Sequence, residues 1–367
     1  MELVVRKTDL LRELQLFQGI VERKNTIPIL ANVLMEAGDD EVRFLATDLE
    51  VGLRTRCSAS VARKGSLTLP AKKLYEIVSA LPETDIRIEA QSGGVKIAAD
   101  RFDSRIQTLP LEDFPTLPES AGTLGAILPR KTLREMIAKT QFAITGDDTR
   151  YYLNGALLVL NGNQMSLVAT DGHRLALVSA AREPAIEGEI RVILPKKTLI
   201  ELGRLLADTD GDVRYDRGEN HLFFTVGERL LISRMIDGQF PSYERVIPKG
   251  NDKRVEFERE LLAGAIRRVA LLSNDRSRAV KFEIGEGKAE VSSSSPELGE
   301  AREVLHVEYS GAPLQICFNA VYVQDFLKAI ETDSMVLELK DEVSQAVMKP
   351  VGAADYDYTY VVMPMRV

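Results

Sequence analysis

The chain has 367 residues, 45% of them apolar and 28% charged, with a formal net charge of −8. At about 150 residues per domain this length predicts two or three globular domains, and the composition excludes a disordered chain. No apolar run reaches the ~18 residues of a membrane-spanning helix, and Met1-Glu2-Leu3-Val4-Val5-Arg6-Lys7 lacks the apolar core of a secretory signal, so a cytoplasmic location is expected. Cys57 and Cys317 stand in no C-x-x-C pair and read as small core residues in a reducing compartment.

In chain order, Leu10, Leu14, Phe17 and Val21 recur at helical spacing and predict a helix over 8–22. Val42-Arg43-Phe44-Leu45-Ala46-Thr47 follows the turn Gly38-Asp39-Asp40 and reads as a strand. Leu69-Pro70-Ala71-Lys72-Lys73-Leu74 opens a second helix, 71–81, on which Leu74, Ile77, Val78 and Leu81 line one face. The same opening recurs as Leu128-Pro129-Arg130-Lys131-Thr132-Leu133 before a helix over 130–142, and as Leu194-Pro195-Lys196-Lys197-Thr198-Leu199 before one over 196–207. A proline in or near the first helical turn sacrifices no hydrogen bond, because that N–H has no partner inside the helix. Ala156-Leu157-Leu158-Val159-Leu160 and Val280-Lys281-Phe282-Glu283-Ile284 read as further strands, closed by Asn161-Gly162-Asn163 and Gly285-Glu286-Gly287. Helices over 259–272 and 320–330 complete a set of six, their starts roughly 60 residues apart.

A longer period lies over this one. Ala46-Thr47-Asp48-Leu49-Glu50 returns as Ala169-Thr170-Asp171-Gly172-His173, with Ser293 to Glu297 at the matching place in the last third, and Phe114-Pro115 returns as Phe240-Pro241. These offsets, all near 125 residues, predict an α+β chain of three similar domains, 1–122, 123–250 and 251–367, each laying two helices on antiparallel strands. Leu117 to Gly122 and Pro248 to Asp252 are the expected linkers.

Charge follows the same division. Windows covering the six helices hold 18 Lys and Arg against nine Asp and Glu, while the rest of the chain carries a net −17. One sign recurring on helix after helix predicts a face that meets a polyanion through phosphate contacts, without sequence information. Few aromatics interleave with these bases, so base stacking is not the expected mode.

Catalytic signatures are missing: no G-x-S-x-G, H-E-x-x-H, P-loop or G-x-G-x-x-G is present. His306-Val307-Glu308 lacks the P-C-x-x-C that a zinc deaminase requires. Asp208, Asp210, Asp212 and Glu219 imitate a calcium loop, but Val213 stands where its glycine belongs, and a hairpin turn is the better reading. No metal or cofactor is expected. Asp171 and His173 are the one pair that a nucleic-acid hydrolase could use, which makes such an enzyme the alternative to a binding protein.

Three stretches carry a family resemblance: Arg150-Tyr151-Tyr152-Leu153-Asn154-Gly155, Ala169 to Ala176, and the C-terminal Tyr360-Val361-Val362-Met363-Pro364-Met365-Arg366. With Tyr309-Ser310-Gly311 and the segment from Phe240-Pro241 to Pro248, they resemble the bacterial DNA polymerase III beta subunits along essentially the whole chain. The resemblance implies the DNA clamp fold and a non-catalytic processivity factor: a homodimeric ring around double-stranded DNA, with helices lining the hole. It implies as partners the polymerase III catalytic subunit, the clamp loader, and other polymerases and repair proteins. Lys24, Arg150, Tyr151 and Tyr152 match DNA-contacting positions of the family; the charge pattern adds Lys72, Lys73, Arg134, Lys196 and Lys197. A pocket for partner peptides is implied at Leu153, Thr170, Gly172, His173, Arg174, Leu175, Pro241, Arg245, Val246, Tyr322, Ser344, Val361, Met363, Pro364, Met365 and Arg366. The resemblance places the dimer joint near Ile106 on one side and Leu271 with Leu272 on the other. Arg101 and Arg105 beside the first, and the acidic run Glu297, Glu300 and Glu303 beside the second, supply complementary rims.

Overall fold

The structure is a computed structural model that describes residues 1–21, 26–120, 122, 124–146, 149–352 and 354–366. All six expected helices form: α1 (Lys7–Phe17), α2 (Ala71–Ala80), α3 (Arg130–Thr140), α4 (Lys196–Asp208), α5 (Arg259–Val269) and α6 (Ala320–Ala329). Five of them end short of the sequence estimate, α2 and α6 by a single residue. α1 stops at Phe17, where Ile20 and Val21 both donate their N–H to the Phe17 carbonyl. Gly19 follows, packed under the flexible ends of the Arg204 and Glu201 side chains. α3 and α5 tighten into 3-10 turns, Gln141–Ala143 and Ala270–Leu272. The prolines stand just outside the helices rather than in their first turns: Pro70 and Pro195 end strands, and Pro70 caps α2.

The chain divides into two compact units, Met1–Arg134 with Lys197–Met235, and Glu135–Lys196 with Ile236–Val367. The middle repeat is therefore shared between them, because its strands continue the sheets of its neighbours. In the first unit an eight-stranded antiparallel sheet runs Ala126–Leu128, Val213–Arg217, His221–Val226, Arg229–Arg234, Val51–Ser58, Glu41–Thr47, Asn32–Ala37, Gly65–Pro70. The join is the pairing of Leu230 to Ser233 with Arg54 to Val51. A five-stranded sheet beside it ends in the edge strand Phe102–Ile106. In the second unit the eight-stranded sheet joins Arg174–Ala181 to Tyr356–Val362, and a four-stranded sheet ends in the edge strand Gly299–His306.

Amphipathic spacing decides what each helix buries. α1 buries Leu10, Leu14 and Phe17, α2 buries Leu74 and Val78, and α4 buries Leu199, Leu202, Leu205 and Leu206. Each fully buried side chain of this size stabilises by ~1.5–3 kcal/mol relative to exposure. The cysteines depart from expectation: both are half-buried rather than in the core. Burial, with Glu13 and Asp9 adding to it, pushes the Cys57 thiol up to about 12, far from a reactive thiolate. The acids that imitate a calcium loop have other partners. Asp208 ends α4, Asp210 and Asp212 lie in the connection from it to the strand Val213–Arg217, and Glu219 lies in the hairpin turn between that strand and His221–Val226: Asp208 pairs with Arg12 and Arg229, Asp210 pairs with Arg130, and Asp212 accepts the Arg130 backbone N–H.

One buried ion pair fastens α1 to the large sheet of the first unit. Arg229 grips the Glu13 carboxylate with Nε (3.1 Å) and Nη2 (2.6 Å), and its Nη1 reaches Asp208 (2.6 Å) and Thr209 (2.7 Å). Removing one partner of such a pair leaves an uncompensated buried charge and commonly costs ~3–5 kcal/mol. Glu13→Ala is expected to lower the urea midpoint accordingly, with Glu13→Gln losing less. The guanidinium partners hold the Asp208 carboxyl below its usual range against the opposing effect of burial. The stability that Asp208 adds is thus fully present above the ordinary aspartate value and fades as pH falls below it. Asp208→Asn should flatten the acid limb of stability against pH, read by denaturation at a series of pH values.

Candidate functional site

The site begins with a turn written into the repeat. After the strand Gln164–Thr170, the Thr170 hydroxyl donates to the Arg174 carbonyl (2.6 Å) and accepts the Gly172 N–H (3.1 Å). Asp171 Oδ1 accepts the N–H groups of His173 (2.9 Å) and Arg174 (3.0 Å). Gly172 sits at φ +89°, where a side chain is strained. The first repeat builds the same turn from Thr47, Asp48 and Val51, with Leu49 at φ +78°. In the third repeat Ser295 stands for the threonine and Pro296 for the aspartate, and only the Glu297 N–H to Ser295 hydroxyl bond is kept (3.4 Å). Asp171 therefore holds a turn. Its second oxygen pairs with Arg174 Nε (3.0 Å), so it does not orient His173 as a base, and the hydrolase alternative loses its dyad.

This turn forms one rim of an apolar cavity of about 220 Å³ in the second unit. Ten of the sixteen expected residues line it: Leu153, Thr170, Gly172, His173, Arg174, Leu175, Pro241, Val246, Val361 and Met363. Behind them Leu157, Val168, Ile193, Phe240 and Val347 form a buried cluster. Leu175 and Val361 face each other in register on neighbouring strands, and Met363 is fastened by its N–H to the His173 carbonyl (2.9 Å). Tyr243 also lines the cavity and was not expected; its signal was the Phe240-Pro241 repeat three residues earlier. Arg150 and Tyr152, expected at DNA, line this cavity as well.

The other six expected pocket residues lie off the cavity wall. Arg245 is exposed in the 3-10 turn Tyr243–Arg245. Ser344 donates its hydroxyl to Asp341 (2.8 Å), and Tyr322 covers the Arg174 guanidinium at 4.4 Å. Pro364 and Arg366 continue the tail past the cavity, where the Met365 N–H bonds the Cys317 carbonyl (2.8 Å).

Among the DNA candidates, Lys24 lies outside the described residues, as does the acidic pair Asp147-Asp148. Tyr151 is 57% exposed and meets Tyr152 edge to face at 5.8 Å. Arg134 is exposed, Lys72 is half-exposed, and exposed Lys73 pairs with Glu76. Lys196 and Lys197 do not stand free as phosphate contacts require. Lys196 donates to the Ile144 carbonyl (3.0 Å), and burial, then the Arg174 charge, push its pKa down. Lys197 donates to the Ile20 carbonyl (3.1 Å) and pairs with Asp48. Both fasten loops.

At the expected joint, Ile106 is nearly buried in its edge strand, Arg101 and Arg105 are exposed, and Arg105 reaches the Ser92 carbonyl. Leu271 is 75% exposed, whereas Leu272 is half-buried in its own unit. Glu297 and Glu300 are exposed, but Glu303 departs from the expected rim. Arg268 grips its carboxylate with Nε (2.8 Å) and Nη2 (2.5 Å), which lowers its pKa.

Family models of the DNA polymerase III beta subunit match the chain in three successive pieces: the N-terminal domain over residues 1–118, the central domain over 127–242 and the C-terminal domain over 244–366. The chain is 40% identical over 370 residues to the beta sliding clamp of Pseudomonas putida and 36% identical over 368 residues to that of Escherichia coli K12, covering 100% of both sequences in each case. The crystal structure of the DNA polymerase III subunit beta from Pseudomonas aeruginosa superposes with a TM-score of 0.94 at 39% identity, and the Caulobacter crescentus DNA polymerase sliding clamp with 0.91 at 36%, each over 100% of both chains. With three consecutive domain matches and full-length relatives, the chain belongs to the DNA polymerase III beta subunit family, the bacterial beta sliding clamps.

Proposed function

We propose that this protein is a cytoplasmic, non-catalytic processivity clamp: two copies join head to tail around double-stranded DNA, and the apolar cavity tethers the replicative polymerase, the clamp loader and other DNA-handling proteins. The observation that carries the reading is the full-length match to beta sliding clamps, with the three domain models in order. Tethering makes each re-engagement of a polymerase intramolecular, at high effective concentration, while diffuse basic contacts leave the clamp free to slide. The Pseudomonas aeruginosa clamp has been crystallised bound to griselimycin, and we assign that ligand to this cavity too. A chain with two unlike ends, each carrying an open strand edge, closes into a ring when unlike ends meet twice. The edge strands Phe102–Ile106 and Gly299–His306 are the candidates, with exposed Leu271 beside the second.

Clamp loaded on nicked circular DNA should remain through gel filtration and be lost after linearisation. Without loading, binding to short linear duplex should be weak and should fall with rising salt. Tight, salt-insensitive binding to the short duplex would overturn enclosure. Deleting residues 363–367 removes Met363 from the cavity wall. Loss of such an anchor commonly costs ~2 kcal/mol or more, so ligand affinity should fall about thirtyfold or further while the solution mass stays that of a dimer. Leu271→Ala with Leu272→Ala should instead give a folded monomer that binds ligand and cannot stay on circular DNA. A dimer at sub-micromolar concentration in analytical ultracentrifugation would show that the joint lies elsewhere.

A further inference from the structure

Arg174 lines the cavity, yet its guanidinium is taken up by partners that include α6 and the segment after α3. Each of its three nitrogens donates to a different element: Nε to Asp171 in the turn (3.0 Å), Nη1 to Asp325 on α6 (2.7 Å), and Nη2 to the Phe142 carbonyl after α3 (2.6 Å). Its side chain is only 9% exposed. The ring of Tyr322 covers the guanidinium at 4.4 Å and that of Phe142 at 5.4 Å. Tyr322 and Asp325 stand three apart on α6, so they share one helix face, and neither lines the cavity.

From this geometry we infer that Asp325 and Tyr322 are positioning residues for the ligand pocket: they lock Arg174 as a fixed wall, and without them its cationic head would swing into the cavity. The inference rests on the pocket reading above. An arginine held by three acceptors and a ring face presents its stem as apolar surface. Released from Asp325, the same side chain keeps two acceptors, gains rotamer freedom and can reach a space of about 220 Å³ in which a guanidinium both excludes volume and must be desolvated by any apolar ligand. The consequence is a loss of affinity made at a distance, through Arg174 alone.

Calorimetric titration of the full-length protein with griselimycin tests this. Asp325→Asn is expected to weaken binding at least tenfold, with an unchanged far-ultraviolet spectrum and a cooperative melt. Asp325→Glu should recover most of the loss by restoring the charged acceptor. In an Arg174→Ala background, Asp325→Asn should change affinity less than twofold, because the arm that would swing is gone; a general structural defect would persist there. Should Asp325→Asn fail to fold, Tyr322→Leu, which removes the ring face and no charge, carries the same tenfold threshold and the same dependence on Arg174. Binding within twofold of the parent, or a loss undiminished in the Arg174→Ala background, overturns the inference. Failure of the parent chain to bind griselimycin overturns the pocket reading and this inference with it, and so is told apart from failure of the lock alone.

Discussion

Backbone pairing across the repeat boundaries is the constraint from which the rest of the molecule follows. An antiparallel strand with an open edge must be covered or paired, and here the middle repeat pairs on both sides. Leu230 to Ser233 zip onto Arg54 to Val51 in the first unit, and Arg174 to Ala180 zip onto Tyr356 to Val362 in the second. A one-residue slip at either seam would turn every buried side chain outward, so the register is fixed by the cores on both sides of it. The second seam also creates the pocket. It sets Leu175 opposite Val361 and brings the chain terminus past the Thr170–Arg174 turn, so that Met363 can close the wall. Pocket and fold are thus one construction, which is why residues nearly two hundred positions apart share a cavity.

Local features were legible in the sequence in proportion to how local their causes are. Helices repeat every 3.6 residues and need only their own apolar stripe, so all six were found within a few residues. The threonine-aspartate turn was visible as a repeat, because its hydrogen bonds span four residues, but its role was not. Asp171 beside His173 resembles a catalytic pair until Arg174 takes the second oxygen. Lysines were harder still. Nothing near Lys196 or Lys197 in sequence announces the carbonyls of Ile144 and Ile20, 52 and 177 positions away, that take their ammonium groups. Glu303 looked like a rim charge for a partner because Arg268, 35 residues earlier, belongs to a helix whose orientation no periodicity reports. Charge counting finds basic helices; only the folded structure says which bases are already engaged.

Tying several bases internally suits the enclosure of DNA proposed above. A sequence-specific binder needs every phosphate and base contact it can make, since affinity and residence come from the same bonds. In the ring proposed above the two are separate: topology would set residence, and cations such as exposed Arg134 and half-exposed Lys72 would need only to keep the duplex centred and mobile. The pocket has the opposite requirement. As a site for short apolar segments, as proposed, it would offer about 220 Å³ of space, in which a wandering charge would exclude volume and have to be desolvated. The three acceptors on Arg174 join the Thr170–Arg174 turn to α6 and to the 3-10 turn after α3, and the inferred lock would meet that requirement. On the proposed reading, basic side chains would serve loosely where sliding is wanted and rigidly where recognition is wanted, and the difference would lie in their neighbours rather than in their charge.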